Sequence, residues 1–109
     1  MKLLLDENLP VKLNHFFSDN HEVKTVIEQG WTGKKNCELL GLMTFNGFVG
    51  LVTIDKSLIY QENINRFDIT IFILEAHDNK ITTLKLFIRE LESYSGTTKE
   101  NIAQINVGE

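Results

Sequence analysis

LLLDENLP, residues 3–10, decides how this chain is read. Three leucines in a row give an apolar run with no polar alternation. That is the pattern of a strand buried on both faces, as in a parallel sheet covered by helices. The run stops on Asp6 and Glu7. Two adjacent carboxylates repel, and desolvating either is costly, so their place at the end of a buried strand calls for a reason. Asn8 reads as a helix cap, with Pro10 in the first turn, where its missing N–H costs nothing. With Asn8 as cap, Asp6 is free for another role.

Outward from this stretch the pattern repeats. Leu9, Leu13, Phe16 and Phe17 recur at helical spacing to about Ser18, and Asp19-Asn20 signals a turn. Residues Glu22 to Ile27 alternate as a second strand at the sheet edge. Gln29 to Lys35 reads as a loop. Asn36 caps a second helix carrying Leu39, Leu40, Leu42 and Met43, closed by Asn46-Gly47. Val49 to Ile54 is a third strand, ending on Asp55, and Ser57 to Glu62 suggests a short helix. Ile69 to Leu74 is the clearest buried strand. Asn79 caps an amphipathic helix from Lys80 to about Tyr94, with Ile81, Leu84, Phe87, Ile88 and Leu91 on one face and Ser95-Gly96 as its stop. Ile102, Ile105 and Val107 suggest a last strand. Alternating strands and helices with apolar strands predict an open, mostly parallel five-stranded sheet covered on both sides.

The chain has 109 residues, 42% of them hydrophobic, which is enough for one globular domain and too few for two. Its formal net charge of −4 argues against holding a nucleic-acid backbone by bulk electrostatics. A bound divalent cation would invert that sign locally. The single cysteine, Cys37, cannot form an internal disulfide; it reads as a small buried hydrophobe in a reducing, cytoplasmic setting. Three leucines are too short for the apolar core of a signal peptide, about 7–15 residues. No stretch approaches the ~18 apolar residues of a membrane span.

In open parallel sheets, ligands sit beyond the carboxyl ends of the strands, at the point where strand order reverses. In a 2-1-3-4-5 order the first and third strands are neighbours, about 5 Å apart. Asp6 and Asp55 would then flank one crevice, a concentration of charge that a bound cation offsets. Glu38, in the first turn of the second helix, is the best third ligand, and Glu7 points either into the same pocket or into water. Each has a plainer alternative: an Asp after a strand also serves as a turn residue, and a first-turn Glu complements the helix dipole. Lys56, Lys34 and Lys35 are the candidate phosphate contacts, and Trp31 and Tyr60 the candidate platforms for unpaired bases, although Trp31 equally suits a lid on the sheet edge. His15, His21 and His77 have no metal-ligand partner at tight spacing.

The segments LLLDENLP, GKKNCELL and LVTIDKSL, in this order, resemble short stand-alone bacterial PIN-like domains of the PilT N-terminus nuclease superfamily. The resemblance runs from Met1 to about Leu74. It implies a three-layer α/β/α Rossmann-like fold of order 2-1-3-4-5. It also implies Mg²⁺- or Mn²⁺-dependent cleavage of single-stranded RNA, with the metal generating a hydroxide and stabilising the leaving oxygen. Many members are the toxin half of toxin–antitoxin pairs, which would make an antitoxin protein a partner. By position, Asp6 is the first metal-binding acid and Asp55 closes the T-x-D strand, with Thr53 orienting it. Related domains carry an acid where this chain has Asn36, leaving Glu38 as the helix acid; an Asn can still coordinate, more weakly, through its amide oxygen. Asp78, past the fourth strand, is a candidate fourth ligand without motif support.

Two other readings stand beside the ribonuclease. A catalytically inert PIN-like module, binding protein or RNA, would keep the fold and account for Asn36. A phosphoacceptor receiver domain shares the topology and the placing of Asp6, Glu7 and Asp55. It also needs a Ser or Thr after the fourth strand and a Lys after the fifth, where this chain has Leu74-Glu75-Ala76 and Asn106-Val107-Gly108. A homodimer is a further expectation, through the Phe45-Asn46-Gly47-Phe48 turn or the last strand.

Overall fold

The computed structural model of the chain describes residues 1–57, 66–93 and 102–106. The suggested helix from Ser57 to Glu62, Tyr60, the expected helix end at Tyr94 with Ser95-Gly96, and Val107 lie wholly or mainly outside these residues. Five strands, β1 (Lys2–Leu5), β2 (Glu22–Thr25), β3 (Gly50–Thr53), β4 (Thr70–Leu74) and β5 (Ile102–Ile105), form one sheet in the order β2-β1-β3-β4-β5. Every pairing is parallel. Helices α1 (Val26–Gln29), α2 (Asn36–Phe45) and α3 (Ile81–Glu92), with a 3-10 helix over Val11–Phe16, complete a three-layer α/β fold. No helix among the described residues is long and apolar enough to cross a membrane.

The apolar strands explain the layering. Successive side chains alternate across a strand, so a continuous apolar run feeds both faces. Leu3 and Leu5 join Val52, Phe72 and Leu74 against Leu13 and Phe17 on one side and Leu84, Phe87, Ile88 and Leu91 of α3. Leu4, Leu51, Ile71 and Ile73 turn the other way, against Leu39, Leu40 and Met43 of α2. The expected amphipathic stripe of the last helix is the one that packs: its four buried residues are Leu84, Phe87, Ile88 and Leu91.

Gly50 starts β3 with no room for a side chain. A Cβ there would come within 2.7 Å of both Leu3 Cδ2 and Phe72 Cε2. Both neighbours are fully buried and have nowhere to move. Gly50→Ala is therefore expected to destabilise the fold by about 1–3 kcal/mol through overpacking, read as a lower urea midpoint at unchanged slope.

Several local expectations are corrected. The first connection is a 3-10 helix, and Asn8 does not cap it: the cap position is Pro10, with no side-chain bond. Six residues are too few to offset α-helix nucleation, so burial of Leu13 and Phe17 sets the local form. β2 ends at Thr25, two residues early, because Thr25 caps α1 reciprocally: Glu28 N donates to Thr25 Oγ1 at 3.1 Å and Thr25 N to Glu28 Oε1 at 2.7 Å. This T-x-x-E box is written in the sequence, and it overrides the strand alternation. Gly30 then closes α1 in the left-handed region at φ 76°. Lys35, not Asn36, is the cap of α2, and Lys80, not Asn79, that of α3. Cys37 is exposed, not buried.

One polar cluster ties α3 to the loop before β2. Glu92 Oε2 accepts from Ser18 N at 2.9 Å and faces His21 Nε2 at 3.4 Å. Burial raises the Glu92 pKa, but the Ser18 bonds and His21 together outweigh it and leave the carboxyl below its ordinary range. A depressed native value means stability that is present above about pH 4.5 and lost as pH falls through the native value. Glu92→Gln is expected to lower stability at pH 7 by up to about 1 kcal/mol and to flatten the acid limb of a urea-midpoint profile.

Candidate metal centre at the carboxyl end of the sheet

Register places the two acids. Leu5 pairs with Val52, and Asp6 N, the next residue, donates to Val52 O at 2.9 Å. Asp6 and Thr53 thus leave adjacent strands side by side. Thr53 is completely buried. Its hydroxyl donates to Asp6 Oδ2 at 2.7 Å and accepts from Asp55 N at 3.0 Å. One side chain therefore joins the end of β1 to the turn after β3. The sequence expectation had Thr53 orienting Asp55. The hydroxyl does so through the backbone, and its side-chain bond goes to Asp6.

The remaining oxygens meet local donors. Asp6 Oδ1 accepts from Glu7 N at 2.8 Å, and Asn8 Nδ2 stands 3.5 Å from Oδ2. Asp55 Oδ1 accepts from Ser57 N at 3.0 Å. Asp55 is thus a turn residue and a member of the acidic pair at once. Burial raises the Asp6 pKa above its ordinary value; the bonds from Thr53 and the Glu7 amide oppose it, and the charges of Glu7 and Asp55 add to it. Among the described residues neither Asp6 nor Asp55 has a cationic side chain as ion-pair partner.

The other candidates sit in separate arrangements. Glu38 lies in the first turn of α2, exposed, 4.0 Å from Lys34 one helical turn away. The side chain of Asn36 is outside the described residues. Lys35 is exposed at the α2 cap position. Asp78 Oδ1 accepts from Lys80 N at 3.0 Å, and Thr83 also bonds its carboxyl, which lowers its pKa. Asp78 therefore serves the start of α3. Its neighbour Asn79 donates to Asn8 O at 3.4 Å, so the turn after β4 meets the turn after β1. Lys56 Nζ lies 2.7 Å from Glu75 Oε2. Glu75 follows β4 directly and is a residue the sequence reading passed over. Its signal was present: ITIFILE is a third apolar run that stops on an acid. Trp31 packs edge-on to Phe48 with ring centroids 5.9 Å apart and is half-buried on the α2 side, the lid reading. His77 pairs with Asp78 at 3.2 Å and is exposed.

An all-oxygen donor set suits a hard cation such as Mg²⁺ or Mn²⁺. Among the described residues, no group of three or more His, Cys, Asp or Glu side chains is drawn into a cage. Two carboxylates still fit Mg²⁺, which commonly binds through one or two carboxylates and fills its octahedron with water and phosphate oxygens. A groove of about 600 Å³ between the 3-10 helix and α3, lined by Phe16, Leu86, Arg89 and Glu92 among others, includes neither Asp6 nor Asp55.

The arrangement defines a class: a parallel α/β sandwich of order 2-1-3-4-5 in which a buried threonine hydroxyl joins the carboxylate after the first strand to the backbone amide of the acid after the third. No family model, curated protein or solved structure matches the chain.

Proposed function

We propose that this chain is a PIN-like, Mg²⁺- or Mn²⁺-dependent ribonuclease acting on single-stranded RNA, in the manner of the toxin half of a toxin–antitoxin pair. The observation that carries the reading is the Thr53 hydroxyl joined to both the Asp6 carboxylate and the Asp55 amide. Burying the Asp6 carboxylate with the charges of Glu7 and Asp55 close enough to act on it costs stability, and a bound dication offsets that cost. When bound, the ion would lower the pKa of an attacking water and polarise the phosphoryl group. Asp6 and Asp55 would hold it. Thr53 fixes the Asp6 carboxylate and the Asp55 backbone, and Ser57 N holds the Asp55 carboxylate, so together they would set the spacing of the two ligands. Glu7, exposed next to Asp6 in sequence, would be the candidate to hold a water on the ion. Lys35, exposed at the start of α2, is available for backbone phosphates, while Lys34 is shared with Glu38.

A second reading, the inert binding module, draws support from Glu38, which leans on Lys34 instead of completing a three-carboxylate cage. One experiment separates the two. Purified protein is incubated with a labelled single-stranded RNA in millimolar Mn²⁺. Cleavage that EDTA stops and that Asp6→Asn and Asp55→Asn both lack supports the enzyme. Intact RNA, with no Mn²⁺-induced rise in melting temperature, supports the module.

A further inference from the structure

The acidic pair has a lysine beside it in sequence, and that lysine is turned elsewhere. Lys56 follows Asp55 directly, so its flexible stem has the length to lay an ammonium on the neighbouring carboxylates. Instead its Nζ lies 2.7 Å from Glu75 Oε2. Glu75 is well placed to hold it. β4 is the hydrogen-bonded neighbour of β3, and Glu75 is anchored by its own amide, which donates to Ile105 O at 2.9 Å. The Glu75 side chain is only 17% exposed, against 61% for Lys56, so the acid is the fixed member and the lysine the captured one. The charges that weigh on Asp6, meanwhile, are the like charges of Glu7 and Asp55.

We propose that Glu75 is a positioning residue that holds Lys56 away from Asp6 and Asp55, so that among the described residues the acidic pair has no lysine or arginine as counter-ion and stays open to an external dication. The proposal rests on the metal-dependent reading above and adds the device that keeps Lys56 off its acids. Removing the Glu75 charge releases Lys56, whose ammonium then turns to the nearest uncompensated carboxylates and competes with the metal. Removing Lys56 as well takes the competitor away.

The test is Mn²⁺ affinity, followed by electron paramagnetic resonance titration of the full chain and, in parallel, by the Mn²⁺-induced shift in melting temperature. Glu75→Gln is expected to weaken Mn²⁺ binding about ten-fold, the scale of one added charge at close range in a partly solvated site. The double variant Glu75→Gln with Lys56→Met is expected to return to within about two-fold of the parent, since the competing ammonium is gone. Glu75→Gln with Lys85→Met carries the same formal charge as that double variant and as the parent, −4, but keeps Lys56. It is expected to remain weak, which separates local competition from net charge. Unchanged affinity in Glu75→Gln overturns the proposal, as does a loss that Lys56→Met fails to restore, which would make Glu75 a ligand or a structural strut. Parent protein that binds no Mn²⁺ overturns the metal reading and this proposal together. Parent protein that binds Mn²⁺ without cutting RNA removes the nuclease and leaves the positioning role to be decided by the same titration.

Discussion

Asp6→Asn is expected to abolish Mn²⁺-dependent RNA cleavage, by about 10³-fold or more if the ion supplies several kcal/mol of transition-state stabilisation. The same substitution is not expected to unfold the protein. The Asn Oδ1 can still accept from Glu7 N, and its Nδ2 can donate to Thr53 Oγ1, the atom that now donates to Asp6. What disappears is a charge that is desolvated and crowded by Glu7 and Asp55. Because the native pKa of Asp6 is raised, the native protein binds its proton more tightly than the unfolded chain does. Stability without metal therefore falls as pH rises from about 4 through the raised native value, and the penalty is complete above it. Asp6→Asn should remove that slope and leave the metal-free melting temperature at pH 7 equal to or above the parent's. Divalent ions bind the ionised carboxylate, so the parent should gain stability from Mn²⁺ most strongly above that window, and the variant not at all. A variant that melts far lower at pH 7 without metal would make Asp6 a structural residue.

Thr53→Val is the second large effect. The substitution conserves shape at a fully buried position and deletes the hydroxyl that both holds Asp6 Oδ2 and receives Asp55 N. The Asp55 amide and an Asp6 oxygen lose partners in a poorly solvated place, at a cost of about 1–3 kcal/mol. The two acids also lose their common tether, so Mn²⁺ affinity should fall along with stability. Thr53→Ser keeps the hydroxyl and should recover most of the metal affinity while giving up some packing. Urea melts and Mn²⁺ titrations of both variants check this. If Thr53→Val keeps full affinity, the bridge does not set the separation of the acids.

Phe45 at the end of α2 is 90% exposed, whereas Phe48 in the same turn is buried beneath the Lys2 ammonium, 4.6 Å from its ring centroid. Of the two phenylalanines in that turn, only Phe45 is open to a partner.

Strand identity, and the emergence of Asp6 and Asp55 at strand ends on one side of the sheet, were legible in LLLDENLP, LVTID and ITIFIL, whereas the order 2-1-3-4-5 was only what the family resemblance implied. An apolar run without alternation must be covered on both faces, and in a parallel sheet all strand ends of one kind lie on one side. The helix stripe Leu84, Phe87, Ile88 and Leu91 was legible because its spacing repeats over three turns. Other features depended on contacts that only the folded chain makes. The 3-10 form of residues 11–16 follows from burying Leu13 and Phe17 in a short crossover, where local propensity is too weak to choose. The bond from Thr53 to Asp6 spans 47 residues, and the ion pair of Lys56 with Glu75 crosses from β3 to β4. Periodicity gives the side of the sheet on which a residue emerges. It does not say which of several nearby polar groups the side chain meets, because that depends on register, rotamer and the distance between strand ends, quantities of fractions of an ångström that the tertiary structure alone sets.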